Sequence, residues 1–145
     1  MIRKEILPAV SAIILNESGE VLMQKRMDTK KWCIISGHVE FGESVEDAMI
    51  REVFEETNVK SEIVRLIGVY SSPTYTTYFY PDRTVQYVVT YFEVKLNEQI
   101  RPDFTSGESV EFTYFPLDRL PKDIDLINPF WLTDALDVTA KAFIR

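Results

Sequence analysis

Positive charge is the scarcer sign in this chain: 16 lysines and arginines stand against 23 aspartates and glutamates, a net charge of −7 over 145 residues. Broad nucleic-acid or anionic-membrane binding needs a basic footprint, so the balance argues against a nucleic-acid polymer or a membrane surface as partner. Any phosphate-bearing ligand must meet positive charge locally. Cysteine is almost absent. The single thiol, Cys33, leaves no partner for an internal disulfide and suits a reducing compartment. It reads as a small buried residue and not a nucleophile. No stretch approaches the ~20 apolar residues of a membrane span. Arg3, Lys4 and Glu5 precede only a short apolar run broken by Pro8 and Ser11, without a small-residue cleavage site. A cytoplasmic location is the expectation. Repeats, low-complexity segments and linkers are also lacking, so residues 1–145 read as one domain that buries roughly 70% of its unfolded surface.

What is present is a succession of strand patterns around two helical ones. Residues 6–15 (ILPAVSAIIL) are apolar nearly throughout, as in a strand covered on both faces. Asn16 to Glu20 is a turn, and Val21 to Arg26 the returning strand of a hairpin. Trp32 to Ile35 is a short strand leading into Gly37, and Ser61 to Tyr70 alternates as another. Ser71 to Arg83 (SSPTYTTYFYPDR) reads as a tyrosine-rich loop bounded by prolines. Thr84 to Val94 is β-branched and aromatic throughout, the clearest long strand. Val110 to Leu117 is the last strand. Asn128-Pro129 reads as an N-cap and N1 proline opening an amphipathic helix that carries Phe130, Trp131, Leu132, Ala135, Leu136, Val138 and Phe143. Strands and two helices in this order predict an α/β sandwich.

The chemistry concentrates between Gly37 and Val59 (GHVEFGESVEDAMIREVFEETNV). Ser44 followed by Asp47 resembles a capping box, and Asn58 stands where a left-handed residue ends a helix. Between them Met49, Ile50, Val53 and Phe54 are read as the apolar sector. Glu52, Glu55 and Glu56 fall at i, i+3 and i+4, on one stripe of that helix. Carboxylates so close repel one another, and Arg51 alone cannot neutralise all three. Such a stripe is either a solvated acidic face or a site for a hard, oxygen-seeking cation such as Mg²⁺ or Mn²⁺.

The full spacing decides between them. Gly37, five residues, Glu43, seven residues, Arg51-Glu52-Val53, one residue, Glu55-Glu56, one residue, Asn58-Val59 resembles the signature box of the Nudix (MutT-like) hydrolases. It departs at Asn58, where the family has glycine, and at Ser36-Gly37-His38, where many relatives read Pro-Gly-Gly. The resemblance implies an α/β/α sandwich with a mixed sheet between helices and the box as loop–helix–loop. It also implies a metal-dependent pyrophosphohydrolase acting on a small nucleotide diphosphate with Mg²⁺ or Mn²⁺. The Gly37 carbonyl, Glu52 and Glu56 would be metal ligands, and Glu55 a direct or water-mediated one. Arg51 would hold the carboxylates, and Glu43 would orient the loop and Arg51. The general base would be Glu52 or a downstream loop glutamate, Glu108 first and Glu111 next.

Substrate identity is far less marked. Tyr75, Tyr78, Phe79 and Tyr80 either stack a nucleobase or line a core edge or homodimer interface. His38 either contacts a phosphate or is an exposed substitution. Within the family, a proline about fifteen residues past the box resembles ADP-ribose hydrolases and a tyrosine slightly further resembles dinucleoside polyphosphate hydrolases. Pro73 and Tyr75 point both ways. A nucleoside diphosphate linked to another moiety, such as ADP-ribose or a nucleotide sugar, is the expectation, with nucleoside triphosphates close behind. The competing classes are a non-catalytic nucleotide-binding module and an isomerase of a small diphosphate, which would need Cys33.

Overall fold

A computed structural model describes residues 2–139 and 141–145. Its backbone is a mixed sheet in the order β4-β1-β7-β5-β9, formed by Ile35–His38, Arg3–Ile14, Arg83–Leu96, Ser61–Tyr70 and Phe143–Ile144. β1 and β7 run parallel over their whole length, from Arg3 opposite Arg83 to Ile14 opposite Val94. β4 joins the free side of β1 antiparallel, with Gly37 opposite Val10 and His38 opposite Ala9. A short strand β6 (Thr77–Phe79) pairs with the first part of β7. A second, antiparallel sheet holds β2 (Val21–Arg26) between β3 (Trp32–Cys33) and β8 (Ser109–Phe115).

Strand alternation sorts the core into two layers. Val10, Ala12 and Ile14 of β1, with Phe92 and Val94 of β7, face α1 (Val45–Thr57) and its buried Ala48, Met49 and Val53. Ile13 and Tyr91, on the opposite face, pack with Ile67, Tyr70 and the α3 residues (Trp131–Leu136) Trp131 and Ala135. The α/β/α expectation holds, with one helix on each face. Met49 is fully enclosed, so Met49→Ala costs about 2–5 kcal/mol.

Several local expectations are corrected. Ile50 and Phe54 are 38% and 44% exposed, because the helix turns Glu52 and Glu56 inward in their place. The tyrosine segment is not all loop: it holds the single turn α2 (Pro73–Thr76) and β6. The C-terminal helix is only six residues long and starts after Phe130. Asn128 caps the turn before it, its Oδ1 accepting the Phe130 N–H at 2.9 Å. Phe143, expected on that helix, lies instead in β9, parallel to β5; position 140 lies outside the described residues. Gly68 makes this pairing possible, since a side chain there would collide with the Phe143 backbone.

Candidate active site

The box forms as its caps require. Ser44 Oγ accepts the Asp47 N–H at 3.1 Å at the start of α1, and Asn58 closes the end at φ 59°. The loop before it turns at Gly42, whose φ of 90° suits glycine. Alternation along β4 sends Ile35 and Gly37 toward α1 and Ser36 and His38 to the other face. Ile35 belongs to the α1 core, and the Ser36 hydroxyl meets the Ser11 hydroxyl at 2.7 Å.

Glu52 lies directly against Gly37, so closely that any side chain at 37 would run into its carboxyl group. Arg51 organises the rest. Its Nε and Nη2 donate to Glu43 at 2.6 and 2.9 Å, and Nη1 donates to Glu52 at 3.0 Å and Glu55 at 3.2 Å. Nη2 also donates to the His38 carbonyl at 3.0 Å, tying the helix to β4. The guanidinium holds Glu43 below the usual carboxylate range. Glu55 sits on the open side of the stripe, more than half exposed.

Glu56 is different. It is 5% exposed and receives nothing from Arg51. Its Oε2 accepts from Ser106 Oγ at 3.2 Å, and the same hydroxyl accepts the Glu108 N–H at 3.2 Å. The Glu108 carboxyl meets that of Glu56, and burial with this like-charged neighbour pushes Glu56 up to about 7. Glu52 is raised too, chiefly by burial. Two acids whose charge is penalised, one of them packed against Gly37, offer the oxygen donors that a hard divalent cation takes. Among the described residues no three acidic, histidine or cysteine side chains already converge on a point that could hold a metal ion. Arg51 engages Glu52 and Glu55, while Ser106 engages Glu56.

Glu108 is therefore brought next to the box. Glu111 is not; it accepts from Thr113 Oγ1 at 3.2 Å and borders a separate groove. The loop carrying Glu108 is fixed by Gly107 at φ 88° and by the Met27 N–H donating to the Glu108 carbonyl at 2.9 Å.

Beyond Gly37 opens a cavity of roughly 490 Å³. Tyr75, Tyr78, Tyr80 and Tyr87 line it with His38, so the tyrosines and the histidine reach one space. His38 Nε2 meets the Tyr87 hydroxyl at 3.0 Å, which in turn meets Tyr80 Oη at 3.1 Å. The remaining polar lining includes Gln24, Arg26 and Asp125. Sequence reasoning missed these three, Tyr87 and Ser106. Ser106 stood beside Glu108 in the sequence, but nothing local marked the others. Cys33 is mostly enclosed, and burial pushes its thiol up to about 11, so it stays protonated near neutral pH.

With this arrangement established, similarity to known proteins gives it a lineage. A family model described as the NUDIX domain matches residues 5–133, and the chain belongs to the Nudix family. It is 33% identical to an ADP-ribose pyrophosphatase of Methanocaldococcus jannaschii over 79% of this chain and 64% of that protein. It is 29% identical to a MutT-like protein of Streptomyces ambofaciens over 89% of this chain and 76% of the relative. Against other relatives the match spans as little as 37% of their length. A crystal structure of an ADP-ribose pyrophosphatase from Streptococcus suis shares the fold, with a TM-score of 0.73 at 21% identity over 96% of this chain and 97% of that one. No described helix is long and apolar enough to cross a membrane.

Proposed function

We propose that this chain is a metal-assisted pyrophosphohydrolase that cleaves the diphosphate bond of a nucleoside diphosphate joined to a second moiety. The observation that carries the reading is the pair of burial-raised acids on α1, Glu52 packed against Gly37 and Glu56 buried one turn further on, with Gly37 also lining the tyrosine-lined cavity. A diphosphate repels an incoming water oxygen by its own charge, so cleavage needs cationic neutralisation, a base and a fixed geometry. The Gly37 carbonyl, Glu52 and Glu56 would hold Mg²⁺ or Mn²⁺, with Glu55 direct or through water. When bound, the ion neutralises phosphate charge and acidifies water.

The chain's own residues do the rest. Arg51 fixes Glu52 and Glu55 and, through the His38 carbonyl, sets the distance between α1 and β4. Glu43 anchors Arg51 by two hydrogen bonds. Glu108 removes the water proton as its oxygen attacks phosphorus and the P–O–P bond breaks. Glu52 is the poorer base, because it already accepts from Arg51. Tyr75 and Tyr78 stack the base, and His38 holds that wall through Tyr87. Because the tyrosines line the cavity, stacking is favoured over a homodimer interface. A relative named as an ADP-ribose pyrophosphatase supports ADP-ribose or a nucleotide sugar ahead of nucleoside triphosphates.

A panel of ADP-ribose, nucleotide sugars, nucleoside triphosphates, dinucleoside polyphosphates and 5′-triphosphorylated RNA, with Mg²⁺ or Mn²⁺ and products weighed by mass spectrometry, tests this reading. Two monophosphates released from ADP-ribose or a nucleotide sugar are expected. Saturable binding without turnover across the panel would make the chain a binding module instead.

A further inference from the structure

Among the described residues, only two buried side-chain polar atoms lack a hydrogen-bond partner: Gln24 Oε1 and Ser61 Oγ. Gln24 is the one that lines the cavity, and it is 6% exposed. A buried acceptor left unpaired destabilises a fold, so its position beside a cavity calls for an explanation. Its surroundings supply one. Gln24 stands opposite Cys33 in the β2–β3 pair, and its amide lies against the Cys33 thiol, with Arg26 and Asp125 acting on the same thiol.

Several donors at the cavity are already engaged. Arg26 gives Nε and Nη2 to Asp28, each at 2.9 Å. The Tyr87 hydroxyl lies between His38 and Tyr80, and Tyr70 donates to Asp134. Beside them stand acceptors with capacity to spare: Gln24 Oε1 and the Asp125 carboxylate, which uses Oδ1 on the Leu126 N–H at 2.8 Å. One arginine facing one aspartate also leaves little net charge, which disfavours a phosphate there. A flat ligand between tyrosines that must bring its own hydrogen-bond donors is an amino-bearing base.

We propose that Gln24 is the specificity residue of this cavity, selecting a purine with an exocyclic amino group, adenine first, over its oxo counterpart. The inference rests on the reading that the tyrosine cavity takes the nucleoside. With the amide held at the Cys33 thiol, Oε1 is the atom left to accept the amino hydrogen of the base; amide side chains pair with adenine in this sense. An oxo group at the same position would face an acceptor with an acceptor.

AMP and IMP differ there by an amino and an oxo group, and their binding can be measured by calorimetry without any turnover. Wild-type protein is expected to bind AMP about tenfold more tightly than IMP. Gln24→Met, similar in volume, is expected to bring the two within about twofold of each other by weakening AMP. Its ligand-free melting temperature should stay level or rise, because an unpaired buried acceptor has been removed. If Gln24→Met does not fold, Gln24→Asn, which withdraws the amide by one methylene, should lose the preference in the same way. Equal binding of AMP and IMP by wild-type protein, or a preference that survives both substitutions, overturns the proposal. The hydrolase reading fails separately: an AMP preference that depends on Gln24, without cleavage of any diphosphate, sinks that reading and leaves this one standing. Rapid hydrolysis indifferent to the base does the reverse.

Discussion

The two faces of β4 solve different problems by different means. On the face toward α1, Gly37 meets a group of carboxylates held by a single arginine, nearly all from one contiguous stretch. On the other face, His38 joins a wall gathered from β2, β3, α2, β6, β7 and the segment before α3. The first face is charged and polar, wired by short ion pairs. The second is aromatic, and its notable polar atom is an acceptor with no partner. On the function proposed above, reaction chemistry is mostly local in sequence, with Glu108 the exception, whereas substrate choice is assembled by the fold.

Substitutions on the first face should therefore abolish turnover with little regard for substrate, and those on the second should redistribute substrates without touching the chemistry. Glu56→Gln carries the largest expected effect, a fall in kcat on the order of 10³-fold with every substrate, since it removes a charge from the proposed cation site. Glu108→Gln should lower kcat by about 10²-fold, as loss of a general base does, while leaving KM nearly unchanged. A kcat equal to wild type would move the base role back to Glu52. Tyr78→Ala is expected to raise KM about five- to hundredfold through lost stacking, with kcat preserved. A fall in kcat alone would break the division between the faces.

The smallest effect is on stability without metal. Glu56 is shifted from an ordinary 4.5 to about 7, so between those values the folded chain binds its proton more tightly than the unfolded chain. That contribution is complete below about pH 4.5 and is lost as pH rises through about 7. Melting temperatures of chelator-treated protein should accordingly decline across this window, and Glu56→Gln should flatten the decline. A melting temperature that rises over the same window would contradict the burial assigned to Glu56. Glu43, held down by Arg51, has the opposite sign and acts only in more acid solution, below its ordinary value.

The contrast between faces also explains which features are legible in the sequence. Ser44, Asn58, the carboxylate spacing and the strand alternation of β1 and β7 act within a few residues of themselves, so a local pattern reveals them. The inward turn of Glu52 and Glu56 at the expense of Ile50 and Phe54 has no such local mark. It depends on Gly37 leaving room for a carboxyl group across the β4–α1 contact. The C-terminal segment reads as helix through Phe143 because its apolar spacing fits one, yet the open edge of β5 beside Gly68 captures Phe143 and Ile144. Gln24 looks like an ordinary strand residue. Only the pairing of β2 with β3 and the fold of the segment before α3 place Arg26, Cys33 and Asp125 around it.

Thermal melting of the protein at neutral pH in rising Mg²⁺ addresses the central assignment whichever nucleotide is the substrate. A ligand that binds the folded chain raises the melting temperature in a saturable way. Wild-type protein should show that rise and Glu56→Gln should lose most of it, while Tyr78→Ala, across β4, should keep it. No rise in the wild type, or an equal rise in Glu56→Gln, would contradict a cation site built from the carboxylates beside Gly37.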